Sequence, residues 1–216
     1  MKHIYTLLLG LLAWSASMAQ EGVNFRDITF EEALKQAKSE NKLVFMDCYT
    51  SWCGPCKMLA NNVFTKDEVA DYFNQTFVNA KYDMEKDEDG IILKTQFGVK
   101  AFPTLVFVDP ATQQVVHRMV GAGSADWLIA GAKLANDPQN NLSAMIKRYE
   151  AGERGEQFLS AYLAALSAAY MAEEQGKVAA EYLNSLSEEQ LATKENWELV
   201  KKYVSDPLPL CHWTNH

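Results

Sequence analysis

The chain has 216 residues, of which 48% are hydrophobic and 22% are charged. This composition is typical of a globular protein with a substantial core, and it excludes a disordered chain, a collagen-like repeat and a coiled-coil rod. Lysine and arginine number 20 against 28 aspartate and glutamate residues, which gives a net charge of −8. Because the chain is acidic and contains no basic run, we expect no nucleic-acid partner. No apolar stretch reaches the roughly 20 residues that span a bilayer, so no integral membrane domain is expected.

Residues 1–19 have the pattern of a cleavable secretion signal. Ile4–Trp14 form an apolar segment after a positive charge, and Ser17-Met18-Ala19 has the small residues of a cleavage site. Cleavage after Ala19 would leave a mature protein that begins at Gln20, with no stable insertion in the membrane. An uncleaved anchor is the alternative. We therefore predict a periplasmic or secreted protein, in a compartment where disulfides persist.

The first elements alternate between helices and strands. Thr29-Phe30-Glu31-Glu32 has the residues of a capping box and predicts a helix to about Ser39, and Thr65-Lys66-Asp67-Glu68 predicts another to about Asn74. The apolar run Leu43-Val44-Phe45-Met46 predicts a central strand covered on both faces. The other expected elements are a helix to about Asn62 from the cysteine pair, strands at Phe77–Tyr82, Thr104–Val108 and Val115–Val120, and helices at Gly90–Phe97 and Ala125–Leu134. This alternation, which ends in a hairpin, indicates an α/β domain with a mixed sheet over residues 20–136.

The rest of the chain shows only helical patterns. A polar break at 136–141 is the best domain boundary, and residues 141–205 are expected to form a helical extension. Its helices are predicted at about 142–151, 156–174, 177–185 and 188–204, with a capping box at Ser187-Glu188-Glu189-Gln190 before the last one. Residues 206–216 are predicted to be a loose tail.

The four cysteines are few for a disulfide-stapled scaffold, and two of them form a Cys-x-x-Cys motif at Cys53 and Cys56. At the start of a helix, backbone amides and the helix dipole stabilise a thiolate on the first cysteine. Cys53 is therefore expected to attack a substrate disulfide and Cys56, which is expected to be less exposed, to resolve the mixed disulfide. Two alternatives remain. A metal site would require further ligands, for which the other cysteines and the histidines are poorly placed, and a purely structural bridge is the second.

The motif and its surroundings resemble thioredoxin. The residues that carry the resemblance are Trp52-Cys53-Gly54-Pro55-Cys56-Lys57, Asp47 before them and Phe102-Pro103-Thr104 about fifty residues later. The wider pattern is more similar to the periplasmic thioredoxin-like domain of the transmembrane thiol:disulfide interchange reductase and to its secreted bacterial relatives. That pattern consists of Phe30-Glu31-Glu32-Ala33, Asn41-Lys42, Phe64-Thr65 and Glu68-Val69. The resemblance covers about residues 25–135 and implies a thioredoxin-like fold followed by an all-α C-terminal extension.

The resemblance also implies the catalytic residues. Cys53 matches the nucleophile, Cys56 the resolving thiol, and the two form the redox-active disulfide. Asp47 matches the buried aspartate that relays a proton to or from the resolving cysteine, which a raised pKa would permit near neutral pH. A solvated aspartate at the end of a strand is the alternative for this residue. No cofactor and no metal are expected.

Three residues are implied to bind substrate. Trp52 flanks the cysteines and shields them, and Pro103 matches the cis-proline whose loop lends backbone groups to a bound polypeptide. An ordinary trans turn is the alternative for Pro103. Phe102 stands where thioredoxins usually carry isoleucine, so the substrate contacts are expected to differ here.

The remaining candidate sites have simpler explanations. Cys48 is expected to be a buried, small hydrophobic residue, with a bridge to Cys211 or a regulatory thiol as alternatives. The acidic segment 83–90 resembles half a calcium loop but has Lys94 in place of the bidentate glutamate, so it is expected to lead into a helix N-terminus. The tail segment from Cys211 to His216 is a weak candidate for metal binding.

The dipeptide Gly54-Pro55 between the cysteines favours a reducing or isomerising role, because it is the thioredoxin dipeptide and thioredoxin has a low reduction potential. Protein substrates with disulfides and an electron donor in the membrane are the partners that this role implies. An oxidase is an alternative, since a periplasm is held oxidising kinetically. The alternative from another class is a binding module in which the helical extension mediates a protein interaction.

Overall fold

The computed structural model describes residues 22–194 together with 196, 198 and 201. The predicted signal segment, the tail and Cys211 lie outside this described part. In chain order the elements are α1 (Phe30–Glu40), β1 (Leu43–Tyr49), α2 (Gly54–Asn62), α3 (Asp67–Thr76), β2 (Phe77–Asp83), α4 (Glu88–Gln96), β3 (Thr104–Val108), β4 (Val115–Val120), α5 (Ala125–Ala135), α6 (Leu142–Glu150), α7 (Glu156–Ala168), α8 (Ala172–Asn184) and α9 (Glu188–Leu191). In the described part of the chain, no helix has both the length and the apolarity needed to cross a bilayer.

The strands form one mixed sheet in the order β2-β1-β3-β4. β1 pairs in parallel with β2 and antiparallel with β3, and β3 pairs antiparallel with β4. The apolar run Val44-Phe45-Met46 is fully buried in the middle of β1, so the predicted central strand and the mixed α/β sheet are confirmed.

Successive side chains of β1 point to opposite faces of the sheet, and each face has its own core. Val44 and Met46 belong to the core under α1 and α4. Phe45 belongs to the other core, which is covered by α2, α3 and α5 and contains a cluster of aromatic rings. Both layers of helices therefore pack on the strand that leads to the cysteine motif.

Two of the three predicted capping boxes are confirmed. The hydroxyls of Thr29 and Ser187 cap α1 and α9, and the side chain of the residue three positions later binds back in both cases. The box at Thr65 is wrong, because α3 has Lys66 as its N-cap and begins at Asp67. Thr65 therefore lies one position too early, and its hydroxyl donates to the carbonyl of Asn61 in the last turn of α2.

The helical extension differs from the predicted pattern at two places. The single helix expected over 156–174 is two helices, because α7 ends at Ala168 and α8 begins at Ala172 instead of near 177. Between them Tyr170 adopts a left-handed conformation, with φ of 58°. The N–H groups of Tyr170 and Met171 bind carbonyls in the last turn of α7, which is the Schellman end of a helix. The last predicted helix also stops early, with α9 ending at Leu191, and residues 194, 196, 198 and 201 beyond it are again helical.

The extension packs on the edge strand β4. The backbone N–H of Leu142, the first residue of α6, donates to Nδ1 of His117 at 3.2 Å. Burial lowers the pKa of His117 to about 4, which keeps this imidazole neutral and able to accept the hydrogen bond. Beyond this contact, α6, α7 and α8 share a core of their own around Leu159, Leu163 and Leu166.

Two helical glycines should respond oppositely to alanine. A Cβ atom on Gly90 in α4 would lie 2.2 Å from the carbonyl oxygen of Asp83, whereas a Cβ on Gly176 in α8 would meet open space. Gly90→Ala should therefore lower the free energy of unfolding by about 1–3 kcal/mol. Gly176→Ala, the matched control, should raise it by about 0.5–1 kcal/mol through helix propensity. Urea denaturation measures both, and a Gly90→Ala protein as stable as the wild type would contradict the close approach of α4 to β2.

Candidate functional site

The cysteine motif lies at the point where β1 gives way to α2. After Tyr49 the chain turns, and the N–H of Cys53 donates to the carbonyl of Thr50 at 3.1 Å. Cys53 is the N-cap of α2, so the motif begins the helix as the spacing predicts. Pro55 occupies the first turn, where a missing N–H removes no helical hydrogen bond.

Cys53 and Cys56 form a disulfide, with an S–S distance of 2.08 Å and Cα atoms 5.3 Å apart. Sγ of Cys53 also accepts the N–H of Cys56 at 3.1 Å, so the sulfur acts as the cap of the helix. The residues are 2% and 4% exposed, respectively. Both cysteines are therefore buried in the oxidised protein, and the expectation that Cys56 is the less exposed of the two stays a prediction for the reduced protein.

Pro103 lies at the start of β3. The Phe102–Pro103 peptide bond is cis, which is the geometry implied by the resemblance, not the ordinary trans turn. The carbonyl of buried Pro103 accepts the N–H of Gly121 at 2.9 Å, and the hydroxyl of Thr104 donates to the carbonyl of Ala101 at 2.7 Å. These bonds fix the loop to β4 and to the start of its own strand.

Asp47 lies beneath the motif on β1 and is only 4% exposed. It lines a partly open cavity of about 170 Å³ together with Thr50, Cys56 and Lys81. Asp47 Oδ1 and Thr50 Oγ1 are buried there without a hydrogen-bond partner in the protein. The structure thus brings Asp47 and the resolving cysteine to one cavity, and the alternative of a solvated aspartate is wrong.

The environment of Asp47 changes its acidity. Burial raises the pKa of its carboxyl group to about 7, and the charge of Lys81 on the neighbouring strand opposes part of that rise. A carboxyl group with this pKa both accepts and donates a proton near neutral pH. The pattern of the sequence contained no indication that Lys81 would lie beside it.

Trp52 and Phe102, two of the predicted substrate-binding residues, contact each other. Their rings meet edge to face, with centroids 6.0 Å apart. Trp52 is 65% exposed and Phe102 is half-buried, so together they present apolar surface beside the disulfide. We call these two rings the aromatic pair.

Two charged residues that the sequence analysis did not select contact the aromatic pair. Glu85 accepts the indole N–H of Trp52 at 2.8 Å. Lys94 places its Nζ 5.3 Å from the centroid of Phe102 and 3.7 Å from the carboxylate of Glu85. These contacts join residues from four separate segments, so no local spacing in the sequence indicates them.

The acidic segment after β2 uses its carboxylates to bind backbone. Asp83 accepts N–H groups of Ser51 and Glu85 at 3.1 and 3.0 Å, and Asp87 accepts the N–H of Asp83 at 2.7 Å. Its end forms the first turn of α4, so the predicted acidic lead-in to a helix is confirmed. The bond to Ser51 ties this segment to the loop before Cys53.

Cys48 belongs to the other face of the sheet. It is a free, fully buried thiol in the core under α1, as expected of a small hydrophobic residue. Burial raises its pKa well above the ordinary value, and the nearby charge of Asp47 raises it further. The predicted alternative of a bridge to Cys211 lies outside the described residues.

A cysteine pair that forms a bond across the first turn of a helix, beside a buried carboxyl group and a cis-proline loop, exchanges disulfides with other thiols. The chain is therefore a thiol–disulfide oxidoreductase. Residues 22–133 match the family model Thioredoxin, and the chain belongs to the thioredoxin family. The mixed sheet and its helices are thus a thioredoxin-like fold, and α6 to α9 follow it.

Known proteins similar to this chain each match a part of it. Thioredoxin H4 from Arabidopsis thaliana is 36% identical over 93 residues, which are 43% of this chain and 71% of that protein. The solution structure of a candidate disulphide isomerase from Bacteroides thetaiotaomicron is 50% identical, covers 55% of this chain and 96% of its own, and has a TM-score of 0.49. A thioredoxin from Thermus thermophilus has a TM-score of 0.51 at 17% identity, over 63% of this chain and 100% of its own.

Replacing Asp47 should stabilise the protein in a pH-dependent way. Burial raises its pKa from 3.8 to about 7, so the folded state binds this proton more tightly than the unfolded state does. Stability is therefore lost as the pH rises from about 4 to 7, and Asp47→Asn removes that loss. We expect the variant to gain about 2–4 kcal/mol at pH 8 and much less at pH 4.5, by urea denaturation. Exposed Asp71→Asn is the control, and an equal gain at both pH values would contradict the assignment.

Proposed function

We propose that the protein is a periplasmic or secreted enzyme that reduces or isomerises disulfides in polypeptide substrates. The observation that carries the proposal is the Cys53–Cys56 disulfide at the start of α2, with Asp47 and Cys56 on one cavity. The secretion pattern of residues 1–19 supports the location. A dithiol that must be kept reduced there needs a source of electrons, and we propose a membrane protein as the donor.

In the proposed reaction the reduced enzyme attacks first through Cys53. Its thiolate forms a bond to one sulfur of the substrate disulfide, which breaks and leaves the other substrate sulfur as a thiolate. Cys56 then loses its proton and attacks Sγ of Cys53, which releases the second substrate thiolate. Two electrons pass to the substrate, the two thiolates take up two protons, and the enzyme is left as the Cys53–Cys56 disulfide.

Asp47 is proposed to accept the proton that Cys56 loses. Both groups line the same cavity, which is large enough to hold a water molecule between them. A carboxyl group with a pKa of about 7 is half ionised at neutral pH, so it accepts this proton and returns it in the reverse direction. Cys48 is not part of this step, because its side chain lies on the other face of the sheet.

Gly54-Pro55 supports the reducing direction. This dipeptide accompanies a potential of about −270 mV in thioredoxin, whereas oxidants and isomerases have potentials of about −120 to −180 mV. Isomerisation uses the same dithiol, because a mixed disulfide that is released by a second substrate thiol returns Cys53 reduced. The two directions therefore share one catalytic pair and differ in its reduction potential.

The two cysteines should give different defects when replaced. Cys53→Ala should reduce turnover of a peptide disulfide, with dithiothreitol as reductant, to the uncatalysed rate, because the attacking sulfur is absent. Cys56→Ala should attack and stop, so a mixed disulfide with the peptide should accumulate and be visible by mass spectrometry. Cys48→Ala is the matched control and should turn over normally. Normal turnover by Cys53→Ala would contradict the proposed mechanism.

The direction is tested by the redox equilibrium of residues 20–216 against glutathione. A reduction potential at or below about −250 mV is expected for a reductase. A potential of about −120 to −180 mV would contradict the reducing direction that Gly54-Pro55 supports. Cys48→Ala should have the same midpoint, which excludes Cys48 from the measured couple. The degree of oxidation is read by thiol alkylation and mass spectrometry.

A further inference from the structure

The aromatic pair is held by a closed circuit of four contacts. The indole N–H of Trp52 donates to Glu85 at 2.8 Å, and Glu85 is paired with Lys94 at 3.7 Å. Nζ of Lys94 lies 5.3 Å from the centroid of Phe102, whose ring meets that of Trp52 edge to face. Each side chain therefore has two neighbours in the circuit.

The four members come from different parts of the site. Trp52 lies just before the dithiol, and Phe102 just before the cis-proline, so the two rings belong to the two segments that meet a substrate. Glu85 follows β2, and Lys94 lies on α4. Glu85 and Lys94 thus connect these two segments through residues that are outside the catalytic motif.

Core packing alone holds the aromatic pair only in part, with Phe102 packed against the core under α1 and α4. Trp52 is 65% exposed and Phe102 is only half-buried, so core packing does not restrict them fully. An ammonium group near the face of an aromatic ring is attracted by its quadrupole, and a ring met by the edge of another is likewise oriented. Lys94 therefore favours the position of Phe102 against Trp52 before any substrate arrives.

We propose that Lys94 is a positioning residue that holds Phe102 against Trp52 and thereby selects polypeptide disulfides flanked by an apolar side chain. This inference rests on the proposed function and names its substrate class. A surface arranged in advance binds without the ordering cost that a mobile side chain imposes. Lys94 forms an ion pair with Glu85. The circuit therefore presents apolar ring surface to the substrate and not an unpaired cation.

The test compares two synthetic peptides with the same intramolecular disulfide, one with phenylalanine and one with serine beside the cysteine. Lys94→Met should raise KM for the phenylalanine peptide about three- to five-fold and leave kcat unchanged. A change of this size corresponds to the loss of one partly exposed contact between an ammonium group and an aromatic ring. The serine peptide should change little. Lys94→Arg, which keeps the charge and stacks on rings, should restore most of the wild-type KM.

Two controls separate positioning from other effects. Lys86→Met removes the same charge from an exposed side chain next to Glu85 and should leave both peptides unaffected. In the Phe102→Leu background, Lys94→Met should cause no further change, because the ring that it positions is gone. Reduction of the enzyme's own disulfide by dithiothreitol should be the same in the wild type and in the Lys94 and Lys86 variants, because that small reagent does not need the aromatic pair.

The outcomes are distinct. A wild-type enzyme that reduces neither peptide contradicts the proposed function itself. An active wild type with an unchanged KM in Lys94→Met overturns the inference and leaves the function standing. An equal rise in KM for both peptides, or a rise that persists in the Phe102→Leu background, also overturns it, because Lys94 would then act as a surface charge or through the stability of α4.

Discussion

The position of β1 between β2 and β3 is the constraint on which the site depends. A strand with neighbours on both sides and helices on both faces is largely removed from solvent, and Asp47 on β1 is only 4% exposed. The same strand ends where the sheet ends, and the turn after it begins α2 with Cys53. This strand therefore supplies a carboxyl group with a pKa of about 7, and the turn that follows it supplies the sulfur of Cys53 at the start of α2.

The second half of the chain is attached to this sheet by its edge. β4 is an outer strand, and α6 packs on it with the N–H of Leu142 bound to the imidazole of His117. The core of α6 to α8 lies beyond this contact and is built from residues of the extension. The candidate catalytic residues all precede the extension in the chain.

Local patterns predicted much of this structure, and contacts distant in sequence account for the rest. The strands, the cysteine pair at a helix start and the capping residues Thr29 and Ser187 each depend on a few neighbouring positions. Thr65 has the same pattern, but α3 begins one position later than that pattern predicts. The spacing of the residues does not fix a helix start to a single position. Tyr170 ends α7 in a conformation usually taken by glycine, so composition concealed that boundary. Glu85 reaches the site from the turn after β2 and Lys94 from α4, and these placements are a property of the fold and not of any motif.

The burial of Cys48 has a consequence for how the chain assembles. In the unfolded chain Cys48 is closer in sequence to Cys53 than most structural disulfide partners are, so a local wrong bond between them competes with the native one. In the folded protein Cys48 is separated from the pair by the sheet, because its side chain lies in the core under α1 and α2 packs on the opposite face. At this position β1 is paired with Tyr82 of β2 and Thr104 of β3. The strands β2 and β3 are synthesised after β1, and strand pairings between residues so far apart in sequence form slowly. Cys48 is therefore a hazard to the folding chain and an inert core residue once the sheet has closed.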